Sequence, residues 1–322
     1  MSPDDPCADA AAPSTERSTH EGDVLSSVVD ALCQGTHALA RKGRDAQGRL
    51  VVPSREAVIA VVESLRAALF PGYFGTPDLH DESLHYYVGA TLDAALHSLG
   101  DQVQRALCFA SEHPLGCPHC EEGARRVTRA FTARLPEVRR LLSTDVQAAY
   151  EGDPALRSAD EAIFCYPGIF AVTSARLAHE LFVLEVPLIP RIITEHAHSL
   201  TGIDIHPGAR IDEGFFIDHG TGVVIGETSV IGKGVRLYQG VTLGAKSFPL
   251  DAQGNPIKGI DRHPILEDGV IIYAGATVLG RVKIRRGSTI GGNVWLTRSV
   301  PPNSRISQAE TRDTKFEDGA GI

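Results

Sequence analysis

The sequence predicts an α+β fold, in which an N-terminal all-helical domain is followed by a parallel β-helix of hexapeptide repeats. Two observations predict the β-helix. An aliphatic residue recurs at every sixth position within residues 203–302, and glycine, small or β-branched residues fill many positions between. A period of six matches neither the α-helix nor the alternation of an ordinary strand. It is typical of a triangular coil in which each hexapeptide forms one flat face and one corner.

Thirteen aliphatic residues carry this repeat, in three consecutive registers. They are Ile205, Ile211, Ile217, Ile225, Ile231, Leu237, Leu243, Leu266, Ile272, Val278, Ile284, Ile290 and Leu296. Each is expected to point inward and to stack on its equivalent one coil away, so that the coils bury one continuous core. Chance can produce a few matching hexapeptides in an apolar chain, but not a series of this length.

Residues 23–200 are expected to form the helical domain. Its clearest segment follows Ser54, a favourable N-cap residue, and ends at Pro71. The apolar residues of that segment share one helical face, at Val58, Val61, Val62, Leu65 and Leu69. Further helices are predicted over residues 81–113, 121–135, 136–150, 168–184 and 187–199.

The repeat has two irregularities. A two-residue excess lies between Ile217 and Ile225, and an insertion predicted as a protruding loop, residues 245–262, lies between Gly244 and His263. Loops of this length within a compact array tend to be functional. The β-helix is expected to span residues 201–302, with residues 1–22 disordered and residues 303–322 forming a flexible tail.

Composition narrows the class of function. The formal net charge of −9 disfavours general nucleic-acid binding. Nine Lys/Arg against four acidic residues between Lys233 and Arg286 can nevertheless attract an anionic small molecule. The first twenty residues lack the apolar segment of a secretory signal, and charges interrupt the longest apolar stretch, residues 163–190. We therefore expect a cytoplasmic protein without a membrane span.

All six cysteines precede the repeat, and in a cytoplasmic chain they are expected to be free thiols. Cys108, His113, Cys117 and Cys120 offer four metal ligands within thirteen residues. A single C-x-x-C without a second such pair is weak evidence for zinc. A turn built on the two prolines and the glycine between these residues also explains the pattern, so no metal is expected.

Polar residues cluster where the repeat is least regular, in the segments GIDIHP, IDHGTG and DRHP. These segments contain Asp204, His206, Asp218, His219, Asp261, Arg262 and His263. A histidine at a corner of the prism is a candidate general base, because its pKa lies near neutrality. A neighbouring carboxylate can fix its tautomer and stabilise its protonated form.

The segments GIDIHPGARI, IDHGTGVVIGETSVIG, GVTLGAKS and DRHP resemble serine acetyltransferase, the acyltransferase family that makes O-acetylserine from serine and acetyl-CoA for cysteine biosynthesis. The long loop after Gly244 is similar to that of the longer-loop branch of this family. The resemblance implies a left-handed parallel β-helix. It also implies that His219 is the general base for the serine hydroxyl and that Asp204 is its carboxylate partner.

The same resemblance implies how serine would be held. It places Asp153 and Asp218 near the amino group, and Arg262 with His263 near the carboxylate. Opposite charges at the two ends suit a zwitterion. From the residues alone, Asp153 before Pro154 also fits a helix N-cap, and Arg262 also fits a cation that anchors the loop.

Acetyl-CoA is implied to lie in the groove between neighbouring β-helices, against Gly244, Ala245, Ala274 and Gly292, and to transfer its acetyl group directly. The family implies a homotrimer, or a hexamer if the helical domains pair. The terminal Ile322 resembles the peptide that enters the active site of O-acetylserine sulfhydrylase. Cysteine is expected to inhibit by feedback at the serine site, because it resembles serine closely.

Three other functions remain open at this point. Another hexapeptide acyltransferase would act on homoserine, a sugar or an antibiotic. A zinc hydro-lyase of the γ-carbonic anhydrase type would use His206, His219 and His263 as ligands at a trimer interface. A scaffolding protein would only hold the sulfhydrylase through Ile322.

Overall fold

The computed structural model describes residues 24–33, 51–75, 79–111, 113–247 and 249–308. The predicted disordered segment, residues 1–22, and the end of the predicted tail lie outside these ranges. The helices comprise residues 24–33 (α1), Arg55–Leu69 (α2), Asp81–Ser111 (α3), Pro118–Gly152 (α4), Ala159–Cys165 (α5), Pro167–Val183 (α6) and Ile189–Thr201 (α7). Within the described ranges, no helix combines the length and apolar composition that crossing a bilayer requires.

Helix α2 begins as the sequence predicts. The Ser54 hydroxyl accepts a hydrogen bond from the Ala57 backbone N–H at 3.1 Å. This bond satisfies one of the N–H groups that the first turn of a helix leaves unpaired. The five apolar residues predicted to share one face are buried in the core.

Helix α4 corrects the prediction of two helices that meet at Pro136. A single helix of 35 residues runs through this proline. Proline in a helix interior removes one backbone hydrogen bond, but Phe131, Leu135 and Val138 are buried in the core on both sides of it. Apolar packing across the site therefore outweighs the local preference for a break. Helix α5, which the sequence did not predict, begins at Ser158, whose hydroxyl accepts from the Glu161 N–H at 3.3 Å.

The second half of the chain is a left-handed parallel β-helix. Its strands in the described residues are Asp204–Ile205 (β1), Arg210–Ile211 (β2), Phe216–Ile217 (β3), Val224–Ile225 (β4), Val230–Ile231 (β5), Arg236–Leu237 (β6), Thr242–Gly244 (β7), Ile265–Leu266 (β8), Ile271–Ile272 (β9), Thr277–Leu279 (β10), Lys283–Ile284 (β11), Thr289–Ile290 (β12), Trp295–Leu296 (β13) and Arg305–Ile306 (β14). They form three parallel sheets, in the orders β1-β4-β7-β10-β13, β2-β5-β8-β11 and β3-β6-β9-β12-β14.

The register reproduces both irregularities of the sequence. Val224 pairs with Thr242, one regular coil of eighteen residues later, whereas Asp204 pairs with Val224, twenty residues later. The two extra residues lie at the corner between β3 and β4. The long insertion lies between β7 and β8, and most of its described residues are exposed. Pairing of β14 with β12 extends the array beyond Pro302, where the sequence analysis ended it.

A buried ion pair joins the two halves. The Arg176 guanidinium on α6 binds both oxygens of Asp145 on α4, at 2.7 and 2.8 Å. Arg176 also donates to the carbonyls of Ile211 at 3.0 Å and Asp212 at 2.8 Å, in the first coil. The Asp145 carboxylate accepts from the Phe215 N–H at 2.9 Å. These bonds fix α4 and α6 against the segment from β2 to the start of β3, which leads to the candidate site.

Candidate active site

His219 lies at the corner between β3 and β4, where the two extra residues occur. Its backbone is left-handed, with φ of 56°. This conformation costs a non-glycine residue about 1 kcal/mol or more. The next residue must be glycine, because Gly220 has φ of 89° and a Cβ there would lie 2.4 Å from Ile203 Cδ1. The corner projects the imidazole outward, so that the side chain is 70% exposed.

Two carboxylates lie near this imidazole, and the Tyr166 hydroxyl binds one of them. The Asp218 Oδ1 atom lies 3.6 Å from His219 Nδ1. The Asp153 carboxylate accepts from the Tyr166 hydroxyl at 2.5 Å and from the Ala155 N–H at 2.8 Å. These bonds, with the nearby His219, hold the pKa of Asp153 below its usual value. Burial and the bond to Asp153 raise the pKa of the Tyr166 hydroxyl, so it remains a hydrogen-bond donor at neutral pH.

The end of α4 positions Asp153. This residue is the C-cap of α4 rather than the N-cap of a following helix, so the sequence interpretation as an N-cap was wrong. The preceding carbonyl, of Gly152, accepts from Arg236 Nη1 at 3.0 Å. A Cβ on Gly152 would lie 2.5 Å from this guanidinium. Arg236, on β6, therefore fixes the backbone next to the carboxylate.

Asp204, the predicted partner of His219, lies on β1. Its carboxylate lies within 4.8 Å of the ligand atoms of Glu195 and His198, at the end of α7. Among the described residues no contact within 4.0 Å joins the Asp204 carboxylate to the His219 ring nitrogens, whereas Asp218 Oδ1 lies 3.6 Å from His219 Nδ1. The pairing of His219 with Asp204 stays a prediction.

Arg262 and His263 precede β8, at a different corner of the prism. Arg262 Nη2 donates to Glu227 Oε2 at 2.6 Å. His263 is buried, and its Nδ1 accepts from the Thr228 N–H at 3.0 Å. Burial, followed by the charge of Arg262, lowers the pKa of His263 to about 4. The imidazole is therefore neutral at physiological pH, and Arg262 supplies the positive charge at this corner.

Residue Gly226 makes room for His263. A Cβ at Gly226 would lie 2.0 Å from His263 Cδ2. Arg281 donates to the His263 carbonyl at 3.0 Å and to Asp261 at 3.0 Å. Arg281 thus holds the end of the long loop. Arg262 also anchors it, through its ion pair with Glu227 and a bond to the Ile260 carbonyl at 3.3 Å.

The predicted site residues therefore divide between two edges of the prism. The edge between the β3 and β4 sheets, which we call the His219 edge, carries Asp218 and His219, with Asp153 beside them. The edge between the β7 and β8 sheets, the Arg262 edge, carries Arg262 and His263. A single chain does not bring the two sets together.

The four small residues predicted for acetyl-CoA also lie on both edges. Ala274 and Gly292 lie on the His219 edge, where a Cβ on Gly292 would be 3.2 Å from the Ala274 carbonyl. Gly244 ends β7 and Ala245 follows it, towards the Arg262 edge. Gly244 accepts from the Gly280 N–H at 2.9 Å, which places the backbones of successive coils side by side.

Two residues of the site, Tyr166 and Arg236, were not predicted from the sequence. Tyr166 directly precedes Pro167, and proline at the first helical position marks the residue before it as a helix start. This signal locates Tyr166 but not its bond to Asp153. Arg236 occupies an outward position of the repeat, where a cation has no distinctive signature.

No family model matches the sequence. The plasmid serine acetyltransferase of Synechococcus elongatus is 54% identical over 303 residues, which cover 92% of this chain and 95% of that protein. The chain belongs to the serine acetyltransferase family. Serine acetyltransferase 1 of Entamoeba histolytica, crystallised with L-cysteine, has a TM-score of 0.68 and 38% identity, covering 80% of this chain and 87% of that one. Soybean serine acetyltransferase complexed with serine has a TM-score of 0.51 and 29% identity, covering 80% and 98%.

Membership of the serine acetyltransferase family decides between the functions that the sequence left open. The chain is an acyltransferase that uses acetyl-CoA, and the family relationship does not favour a zinc hydro-lyase or a scaffold without activity. The three histidines that a zinc hydro-lyase would use as ligands are also divided between the two edges in this chain. His206 and His263 lie on the Arg262 edge with their Nδ1 atoms accepting from backbone N–H groups, and His219 lies on the other edge.

Proposed function

We propose that this serine acetyltransferase moves the acetyl group of acetyl-CoA to the hydroxyl of L-serine, with His219 as the general base. The observation that carries the proposal is the outward-pointing imidazole of His219 at a corner that also holds Asp218 and Asp153. The imidazole takes the hydroxyl proton as the oxygen attacks the thioester carbon. As the resulting tetrahedral intermediate collapses, the same proton passes to the departing CoA sulfur. The transfer is proposed to be direct, and the position of all six cysteines before the β-helix agrees with this.

Charge supports the orientation of serine in this proposal. Asp153 remains ionised because its bonds to Tyr166 and to the Ala155 N–H lower its pKa, and it faces the amino group together with Asp218. Arg262 faces the carboxylate. His263 assists as a neutral hydrogen-bond donor rather than as a cation, because its pKa is about 4. Asp204 is the carboxylate that orients the His219 imidazole once substrate is bound.

The separation of the two edges supports a site shared between chains. In a homotrimer, the His219 edge of one chain faces the Arg262 edge of its neighbour. Acetyl-CoA would lie in the groove between them, along the backbones of Gly244, Ala245, Ala274 and Gly292. The small side chains there leave room for a pantetheine arm beside the strands. Pairing of the helical domains would make the assembly a hexamer.

Feedback regulation follows from the same family relationship. Cysteine differs from serine by one sulfur, so we expect it to compete with serine for the site. Ile322 lies outside the described residues, and its binding to O-acetylserine sulfhydrylase stays a prediction. Removing Ile322 alone should abolish co-purification with that enzyme. A cytoplasmic location is likewise part of the proposal.

The test is release of CoA from acetyl-CoA, measured with a thiol reagent, with and without L-serine. We expect release to depend on serine and His219→Ala to lower kcat by about 10²–10⁴-fold. The matched control is His85→Ala, a histidine exposed on α3, which should keep the wild-type rate. Near-normal turnover by His219→Ala would remove the mechanism, and a preference for homoserine or a sugar would remove the substrate.

A further inference from the structure

Three ligand atoms, two sulfurs and one nitrogen, meet where α3 ends and α4 begins. The Cys117 Sγ atom lies 3.6 Å from His113 Nδ1, and Cys120 Sγ lies 3.7 Å from the same nitrogen. The three ligand atoms lie within 4.8 Å of one another. Zinc bonds of about 2.3 Å to sulfur and about 2.0–2.1 Å to nitrogen give a tetrahedron whose S–N edge is about 3.6 Å. The three atoms are therefore already spaced for one metal ion.

A fourth ligand stands beside these three. Cys108, on the last turns of α3, is fully buried. Its thiol interacts with the Cys120 thiol and donates to the Pro114 carbonyl at 3.4 Å.

Backbone bonds close the loop that carries the ligands. The His113 N–H donates to the Cys108 carbonyl at 3.0 Å, and the Cys117 N–H donates to the Pro114 carbonyl at 3.2 Å. Gly116, with φ of 91°, supplies the left-handed residue that this turn requires. The loop thus holds its ligands in place through its own hydrogen bonds.

The chemistry of the helix start distinguishes a metal site from a plain turn. Cys117 is the N-cap of α4, but its side chain does not cap the helix as an oxygen would. Serine or aspartate is the preferred residue there. The Cys117 sulfur makes no capping hydrogen bond and lies 3.6 Å from His113 Nδ1 instead. A disulfide between Cys117 and Cys120 would not explain why His113 and Cys108 lie beside them.

We propose that Cys108, His113, Cys117 and Cys120 bind one Zn²⁺ ion in a closed tetrahedral site. Such a site has no open position for substrate and acts structurally. It joins α3 to α4 at the end of α4 opposite Asp153, so zinc does not take part in acetyl transfer. The sequence alone favoured a turn, because one C-x-x-C is weak evidence. The added observation is the distance of both sulfurs from the His113 nitrogen.

The test is the zinc content of the full-length chain, purified without chelators or metal-affinity resin. We expect one zinc per chain in the wild type, and less than about a tenth of that in Cys117→Ser and Cys120→Ser. Cys165→Ser, at an exposed cysteine outside the cluster, should retain full zinc. A wild type produced with ample zinc but containing none would overturn the proposal, as would full occupancy in Cys117→Ser or a Cys117–Cys120 disulfide found by peptide mapping.

A second measurement reads the ligands directly, first in the wild-type chain, so that its main outcome does not depend on a variant. The wild-type chain, produced with cobalt in place of zinc, should show the intense visible bands of tetrahedral Co²⁺ and the ultraviolet charge-transfer band of thiolate ligands. His113→Asn should alter the visible bands while preserving the thiolate band. An octahedral spectrum, or none, would contradict a site made of three sulfurs and one imidazole nitrogen.

Discussion

Arg176→Met tests the buried ion pair that joins the helical domain to the β-helix. The substitution keeps much of the side-chain volume and removes four hydrogen bonds, two to Asp145 and one each to the carbonyls of Ile211 and Asp212. Asp145 is fully buried, so its charge is left with the Phe215 N–H as its remaining bond. Removing one partner of a buried pair costs about 3–5 kcal/mol.

This loss should appear as a lower melting temperature. For a domain of 150–250 residues, each kcal/mol lowers Tm by about 2–4 °C, so a fall of roughly 6–20 °C is expected. The matched control is Arg140→Met, because Arg140 also joins α4 to the β-helix, through Glu213, but is half exposed. Exposed pairs contribute about 0–1 kcal/mol, so the control should melt within a few degrees of the wild type.

The pH dependence supplies a second readout. Burial raises the pKa of Asp145 even with Arg176 in place. Without the guanidinium the folded state binds a proton that the unfolded state releases, so the stability of Arg176→Met should fall as pH rises above about 4. Adding Asp145→Asn should restore part of the loss and remove this slope. A loss below about 1 kcal/mol, or a double variant less stable than Arg176→Met, would refute the reasoning.

Three further predictions concern the two edges. Tyr166→Phe removes one bond to the Asp153 carboxylate, so the pKa of Asp153 should rise. The KM for serine should then increase several-fold, most strongly at acid pH. An unchanged KM across the pH range would contradict the role of Asp153. Gly220→Ala places a Cβ 2.4 Å from Ile203 Cδ1 at φ of 89°, so it should lower stability by about 1–3 kcal/mol and reduce kcat. The control Gly254→Ala lies in the exposed loop, with φ of 83° but no atom within 4 Å, and should leave kcat unchanged. Equal losses of kcat in the two variants would show that the His219 corner has no special requirement for glycine. The pKa of His263 is about 4 in the folded state, against 6.5 for an ordinary histidine. Wild-type stability should therefore fall as pH drops from about 6.5 to 4, and His263→Gln should flatten that fall. Denaturant titrations at several pH values measure this, and parallel curves of stability against pH for the two proteins would contradict the prediction.

The sequence was sufficient to predict the β-helix, because one aliphatic residue in six is a local signal that repeats over many coils. All three sheets and the displaced register at the corner of His219 follow from it. The helical domain was less predictable. Pro136 marks a break in the sequence, whereas its place in the fold depends on buried neighbours from other helices.

The candidate site, too, could be predicted from the sequence only in part. His219 and Asp218 are adjacent in the chain, so their proximity could be read directly. The bond between Tyr166 and Asp153, and the clamp of Arg236 on Gly152, join residues distant in the chain. Such contacts depend on how α4 and α6 pack on β3, which no local pattern encodes.

In the homotrimer that we propose, the division of functional groups between two prism edges has each chain lend different halves of a site to two different neighbours. Chains carrying His219→Ala and chains carrying Arg262→Ala are each expected to be inactive alone. If they are unfolded together and allowed to reassemble at random, about one site in four should combine an intact edge from each type. Two inactive preparations would then regain about a quarter of the original turnover on mixing, a recovery that sites contained within single chains cannot show.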